Sequence, residues 1–172
     1  MLKLKGKSFT IGDAVVYPSH GVGEITSEET QVIAGEEMSL YVIKFSKDKM
    51  ILRVPKSRAI KAGLRHLSSN DSFSQVLEVL QSRPRIARGM WSKRAQEYEG
   101  KINSGDIISI AEVLRDLHKN VDDPERSYSE RMIYESAMER LVEEYAATQS
   151  ISKDTALEKI LMMLDTYKKE AA

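Results

Sequence analysis

Along the first third of the chain, apolar residues alternate with polar ones at the period of a strand. "DAVVYP" (13–18) is short, β-branched and stopped by Pro18, and "SHGVG" (19–23) reads as a turn with two glycines. "EITSEETQVI" (24–33) alternates well enough for a strand, and "AGEE" (34–37) is a turn. "MSLYVIKF" (38–45) and "MILRVP" (50–55) flank the polar tetrad "SKDK", which predicts a hairpin. In the first of these, Leu40 and Val42 point one way and Tyr41, Ile43 and Phe45 the other. Both faces are apolar, so this strand belongs inside a sheet. Four or five short strands in about 60 residues are too few for a large sandwich. A small twisted, partly closed barrel is the economical way to protect their edges.

The period changes after "HLSSNDS" (66–72), a polar junction rich in helix-capping residues. "SFSQVLEVLQ" (72–81) places Phe73, Val76, Leu77 and Leu80 on one helical stripe. Pro84 and Gly89 interrupt the chain, and a second helix starts near Trp91 or Ser92 and runs toward Ser104. "GDIISIAEVLRDLHKN" (105–120) aligns Ile107, Ile110, Ala111, Leu114 and Leu117. After the loop "VDDPERS", residues 127–148 align Met132, Ile133, Ala137, Leu141, Val142 and Tyr145. Residues 152–170 close the series, with Ser152 and Thr155 as candidate N-caps and Lys168 and Lys169 suited to the helix C-terminus. The pattern predicts an α+β chain of two domains: a small β-barrel over 1–67 and a compact bundle of about five helices over 68–172.

Charge adds an asymmetry to this picture. The net charge is zero, yet residues 1–101 hold 17 basic and 11 acidic side chains and residues 102–172 hold 9 and 15. A basic first part and an acidic second part suit a polyanion meeting one end only. There is no cysteine, which excludes disulfides and thiolate chemistry and suits a reducing cytosol. No apolar run approaches the roughly 20 residues needed to span a bilayer. The first residues, "MLKLKGKSFTIGD", do not read as a secretory signal. A cytoplasmic location with no membrane partner is expected.

Catalysis needs a converging nucleophile, base and charge stabiliser. His20, His66 and His118 are isolated from one another, and His118 sits near a helix end, where a surface cation is common. The "GVG" at 21–23 lacks the strand–loop–helix context of a dinucleotide site. The chain is therefore not expected to be an enzyme, and no metal or cofactor is expected.

The remaining chemistry lies around the single tryptophan. From Val79 to Gln96 there are five basic residues, Arg83, Arg85, Arg88, Lys93 and Arg94, and no acidic one. Trp91, Ala95, Tyr98 and Ile102 share one helical face, which by itself favours a core position for the indole. Against this, Trp91 follows Gly89 at the start of its helix, where a ring can lean out while Tyr98 and Ile102 anchor the inner face. Cations can hold phosphates while an apolar ring wedges against bases, and helix N-termini attract phosphate. Composition and spacing leave both readings open. No helix presents Asn, Gln and Arg toward base edges, so little sequence-specific readout is expected.

"FTIGDAVVYPSHGVGEI", the pair "YVIKF" and "MILRVP", the stretch "MWSKRAQEYEGKINSGDIISIAEVLRDLHK" and "SYSER" (127–131) together resemble the CarD/CdnL family of bacterial transcription regulators. The N-terminal part alone is also similar to the polymerase-binding module of the transcription-repair coupling factor. The resemblance implies a Tudor-like β domain that docks on the β subunit of RNA polymerase. It also implies a helical domain that meets promoter DNA, by minor groove and backbone, at the fork junction on the upstream edge of the transcription bubble. Such proteins stabilise the open promoter complex. The family tryptophan, a minor-groove wedge, matches Trp91, and the basic pair after it matches Lys93 and Arg94. The polymerase-contacting arginine matches Arg53, within Leu52, Val54 and Pro55. A second basic polymerase contact of some members falls at Gln31, which has no charge. The resemblance implies a chain that is a monomer when free. Two other readings compete: a protein-interaction adaptor with Trp91 in its core, and an autonomous sequence-specific DNA binder. The terminal Ala171-Ala172 also resembles the small apolar endings read as degradation tags.

Overall fold

The structure, a computed structural model, describes residues 8–85 and 88–170, with side chains through Tyr167. The Ala171-Ala172 ending and the side chains of Lys168 and Lys169 lie outside the described residues. The chain divides into two compact units, Met1–Leu67 and Ser68–Ala172.

The first unit is a five-stranded antiparallel sheet: β1 (Ala14–Tyr17), β2 (Gly21–Ile33), β3 (Glu36–Phe45), β4 (Ile51–Pro55) and β5 (Arg65–His66). The spatial order is β4-β3-β2-β1-β5. This is an open sheet, and closure into the expected barrel is not shown: the outer strands β4 and β5 share no ladder among the described residues. A two-residue β5 offers little backbone for one. As expected, β3 is interior to the sheet. Its Tyr41, Ile43 and Phe45 join Phe9, Val15, Ile25, Val54, Ala59 and Leu64 in the core, and its Leu40 and Val42 are buried as well.

Two turns differ from the sequence pattern. The "GVG" segment belongs to β2 and not to a turn, which is confined to Pro18–His20. Close packing explains the second glycine, because a Cβ on Gly23 would sit 2.8 Å from Ile43 Cγ2. The β2–β3 turn is only Ala34-Gly35, both at positive φ (52° and 80°), with Ile33 opposite Glu36. That is the backbone of a two-residue hairpin that prefers Asn-Gly, and alanine pays for its left-handed conformation. Ala34→Asn is expected to raise stability by about 0.5–1 kcal/mol. Urea unfolding followed by circular dichroism checks this, and an unchanged midpoint would count against the turn.

β2 also carries a bulge. Ile25 lies opposite Ile43, but Ser27 lies opposite Val42, so Thr26 is the extra residue. Unbroken alternation would keep Glu29 on the same face as Ile25. The bulge turns Glu29 to the opposite face, alongside Leu40 and Val42.

The second unit has five helices, α1 (Asn70–Gln81), α2 (Trp91–Asn103), α3 (Ile107–His118), α4 (Tyr128–Gln149) and α5 (Lys153–Glu170). Side-chain oxygens cap α1, α3 and α4: Ser69, Asp106 and Ser127 accept from the N–H of Ser72, Ser109 and Glu130. At α5 it is Ser152 that caps, accepting from Thr155 N–H at 3.1 Å. The α3 helix packs against α1, α2 and α4, and its predicted stripe is buried together with Val113. On α4 the expected Ile133, Ala137, Leu141, Val142 and Tyr145 are buried, and the core arc is wider than expected. Of the expected positions Met132 is exposed, while Tyr134 and Met138, which the pattern did not include, are buried.

His118 is not the surface cation expected from its place at a helix end. It is 4% exposed, with Nδ1 2.8 Å from Tyr134 Oη and Nε2 2.8 Å from Asp165 Oδ1. Burial, followed by the nearby Asp165 charge, pushes the Tyr134 phenol well above its ordinary range. It therefore stays protonated, and the buried polar groups satisfy each other.

Candidate functional site

The chain that follows α1 is held to the bundle by a set of hydrogen bonds. Ser82, the C-cap of α1, donates its hydroxyl to Val79 C=O at 2.6 Å. The Arg85 backbone N–H donates to Asp116 Oδ1 at 2.9 Å. Gly89 has φ 117° with open space where a Cβ would stand, so its requirement is conformational and not steric. Met90 then provides the extended N-cap of α2 without a side-chain capping bond. The first N–H groups of a helix have no intrahelical partner, so this end keeps donors for an outside acceptor.

Trp91 is the first residue of α2. It is half-buried, packing its ring against the helical core, with the Tyr98 ring centroid 6.2 Å away. The indole is thus neither a closed core residue nor a free blade. Tyr98 and Ile102, further along the same face, are fully buried, as the helical spacing requires. Met90, immediately before the indole, is 77% exposed. It is an apolar surface residue that the sequence pattern did not single out.

The cations divide into two kinds. Arg83, Arg85, Arg88 and Lys93 are exposed, and among the described residues none of their side chains has an acidic partner. Arg94 is different. Its guanidinium lies 5.5 Å from the Trp91 ring centroid and 6.0 Å from that of Tyr98, and it donates to Tyr98 Oη at 3.4 Å. Arg94 therefore sits beside the indole and steadies it by cation–π contact. Lys93 and Arg94, adjacent in sequence, thus have different surroundings.

In the sheet unit, Arg53 lies on the exposed face of the outer strand β4, with its side chain 48% exposed. It is not unpartnered. Its Nε donates to Glu29 Oε2 at 2.9 Å and Nη2 reaches Oε1 at 3.4 Å. Arg53 holds the Glu29 carboxyl below its ordinary range. Gln31 Nε2 also donates to Glu29, at 3.1 Å. Position 31 therefore touches Arg53's partner even without a charge of its own. One residue pair away, Lys56 Nζ bonds Glu28 at 2.7 Å and lies over the Tyr41 ring. Val54 faces the core and is buried, and Leu52 and Pro55 are half-buried. Of the four β4 residues considered above, only Arg53 offers an exposed side chain. No helix among the described residues is long and apolar enough to cross a membrane.

Residues 9–68 match the model of the CarD-like/TRCF RID domain, and residues 75–161 match that of the CarD C-terminal domain. A Bacillus subtilis (strain 168) protein named "Putative transcription factor YdeB" is 28% identical over 145 residues, covering 84% of this chain and 95% of the relative. Among solved structures, the solution NMR structure of the 72-residue N-terminal domain of Myxococcus xanthus CarD is 25% identical. It has a TM-score of 0.31 and covers 34% of this chain and 79% of that one. With both family domains matched in order along its length, the chain belongs to the CarD family of transcription factors.

Proposed function

We propose that this protein docks on the β subunit of RNA polymerase through its sheet unit and stabilises the open promoter complex through its helical unit. The sheet unit takes the Tudor-like role. Arg53 supplies the charged contact, and Leu52, Val54 and Pro55 contribute through the strand they build, since Val54 turns its side chain inward. On the DNA side, Arg83, Arg85, Arg88 and Lys93 meet phosphates at the upstream fork junction. Trp91, braced by Arg94 and Tyr98, sets its open edge against the minor groove where bases are already unstacked. The observation that carries the reading is the half-buried indole at a helix start, amid exposed cations whose side chains have no acidic partner among the described residues. A core tryptophan needs no such surroundings. The role is binding and not catalysis.

Binding of this kind is weak and salt-dependent alone, because phosphate contacts release counterions. Tethering to polymerase supplies the specificity by raising the effective concentration of DNA at the site. The wedge acts because a ligand shifts an equilibrium by its differential affinity for the two states.

Capture of the protein by purified β subunit tests the docking. Native protein is expected to be captured, and Arg53→Gln to bind roughly tenfold more weakly, the loss of about 1.4 kcal/mol from a charge-assisted contact. Gln is the right replacement, because Glu at 53 would add repulsion against Glu29. No capture of native protein would leave only an adaptor for another partner or a free DNA binder. Native affinity in Arg53→Gln would remove Arg53 from the interface.

A further inference from the structure

We infer that Asp116, held by Arg115, is a positioning residue for the DNA-binding loop, setting where the chain leaves α1 on its way to Arg88 and Trp91. The inference rests on the DNA-binding reading above. Its starting point is an oddity of α3. Consecutive residues of a helix do not face each other, yet Arg115 and Asp116 are 8% and 6% exposed and pair at 2.9 Å between Nε and Oδ1. A buried ion pair is a poor source of stability, since desolvating two charges offsets most of their attraction and apolar residues of similar size do as well. Core packing alone does not call for it on a helix whose other buried positions, His118 apart, are aliphatic.

The pair's remaining bonds all go to one place. Asp116 Oδ1 accepts the Arg85 backbone N–H at 2.9 Å. Arg115 Nη1 donates to Ser82 Oγ at 3.2 Å, and that hydroxyl donates to Val79 C=O at 2.6 Å. The last turn of α1, residue 82 and residue 85 are thus tied to α3 by one network. Between and beyond these ties lie Arg83, Arg85 and Arg88, three like charges close together in sequence that repel one another. A carboxylate receiving the Arg85 N–H forms a charge-assisted bond, and it fixes the backbone while the arginine side chain stays exposed. A loop already held in place loses less conformational freedom when its cations meet phosphates. Asp116 touches no nucleic acid itself and acts through Arg85.

The test uses two full-length double variants that both discharge the buried pair. Arg115→Met with Asp116→Asn keeps an oxygen acceptor for the Arg85 N–H. Arg115→Met with Asp116→Leu removes it. Both are expected to fold and to melt near the native temperature, because neither leaves a buried charge unpaired. Affinity for fork-junction DNA, read by fluorescence anisotropy at fixed salt, is expected within about threefold of native for the Asn version and roughly tenfold weaker for the Leu version. Hydrogen exchange at the Arg85 amide should accelerate in the Leu version only. Equal DNA affinities in the two variants, or failure of either to fold, would overturn the positioning role. An Arg83→Gln, Arg88→Gln, Lys93→Gln protein measured alongside separates the two ideas. If it binds DNA as native protein does, the DNA reading itself fails. If it binds weakly while the two double variants match each other, only the role of Asp116 fails.

Discussion

Trp91→Ala is expected to shorten the lifetime of open promoter complexes by about tenfold, with capture by polymerase unchanged. The size follows from the mechanism. An indole set against an already unstacked junction avoids much of the few kcal/mol that parting intact bases costs. A preference for the melted state of about 1.4 kcal/mol is a tenfold shift in its population. The structure also sets the stability cost. A fully buried tryptophan reduced to alanine costs about 3–5 kcal/mol, and a surface site within roughly 0.5 kcal/mol. Trp91 is half-buried and packs on the helical core, so the loss should fall between, at about 1–2 kcal/mol. For a unit of this size that lowers the melting temperature by roughly 5–10 °C. Lifetimes are measured by competitor challenge at a temperature where the variant is fully folded. A melting loss of full core size, or open complexes as long-lived as with native protein, would return Trp91 to a packing role. Arg94→Lys is the companion measurement, since it keeps the charge but loses the flat guanidinium beside the indole.

Neutralising Arg83, Arg88 and Lys93 together should weaken DNA binding and reduce the steepness of its salt dependence by about three. Each phosphate contact contributes about 0.9 to the slope of log affinity against log salt. These three are chosen because they are exposed and without acidic partners among the described residues. Arg94 is left intact because removing it would disturb the indole as well as the charge. None of the three touches the core, so the melting curve should stay within roughly 0.5 kcal/mol of native. Binding titrations from low to moderate salt check the slope. An unaltered slope would mean that these side chains never meet phosphate.

Much of this protein is legible in the sequence because periodicity is a local property. The stripe through Phe73, Val76 and Leu80 marks a helix wherever it packs, and the alternation of Tyr41, Ile43 and Phe45 marks a strand. Composition located the basic run around Trp91, and the arginine of "RVP" was singled out by family resemblance. What each residue touches depends on neighbours distant in sequence, and there the pattern runs out. Val54, next to Arg53, went to the core because β4 pairs with β3 in one register. Glu29 came to Arg53 only through the bulge at Thr26, which reverses the faces of β2 and leaves no mark on an alternating sequence. His118 looked like a cation at a helix end, but enclosure of α3 delivered Tyr134 and Asp165 to its ring. Asp116 reaches back 31 residues to the Arg85 amide, a bond that neither segment announces. Local sequence determined which segments became strands and helices, since burying apolar area depends on spacing along one element. Tertiary structure alone decided which polar groups became partners, since a hydrogen bond needs two atoms within about 3 Å and spacing along the chain does not measure that distance.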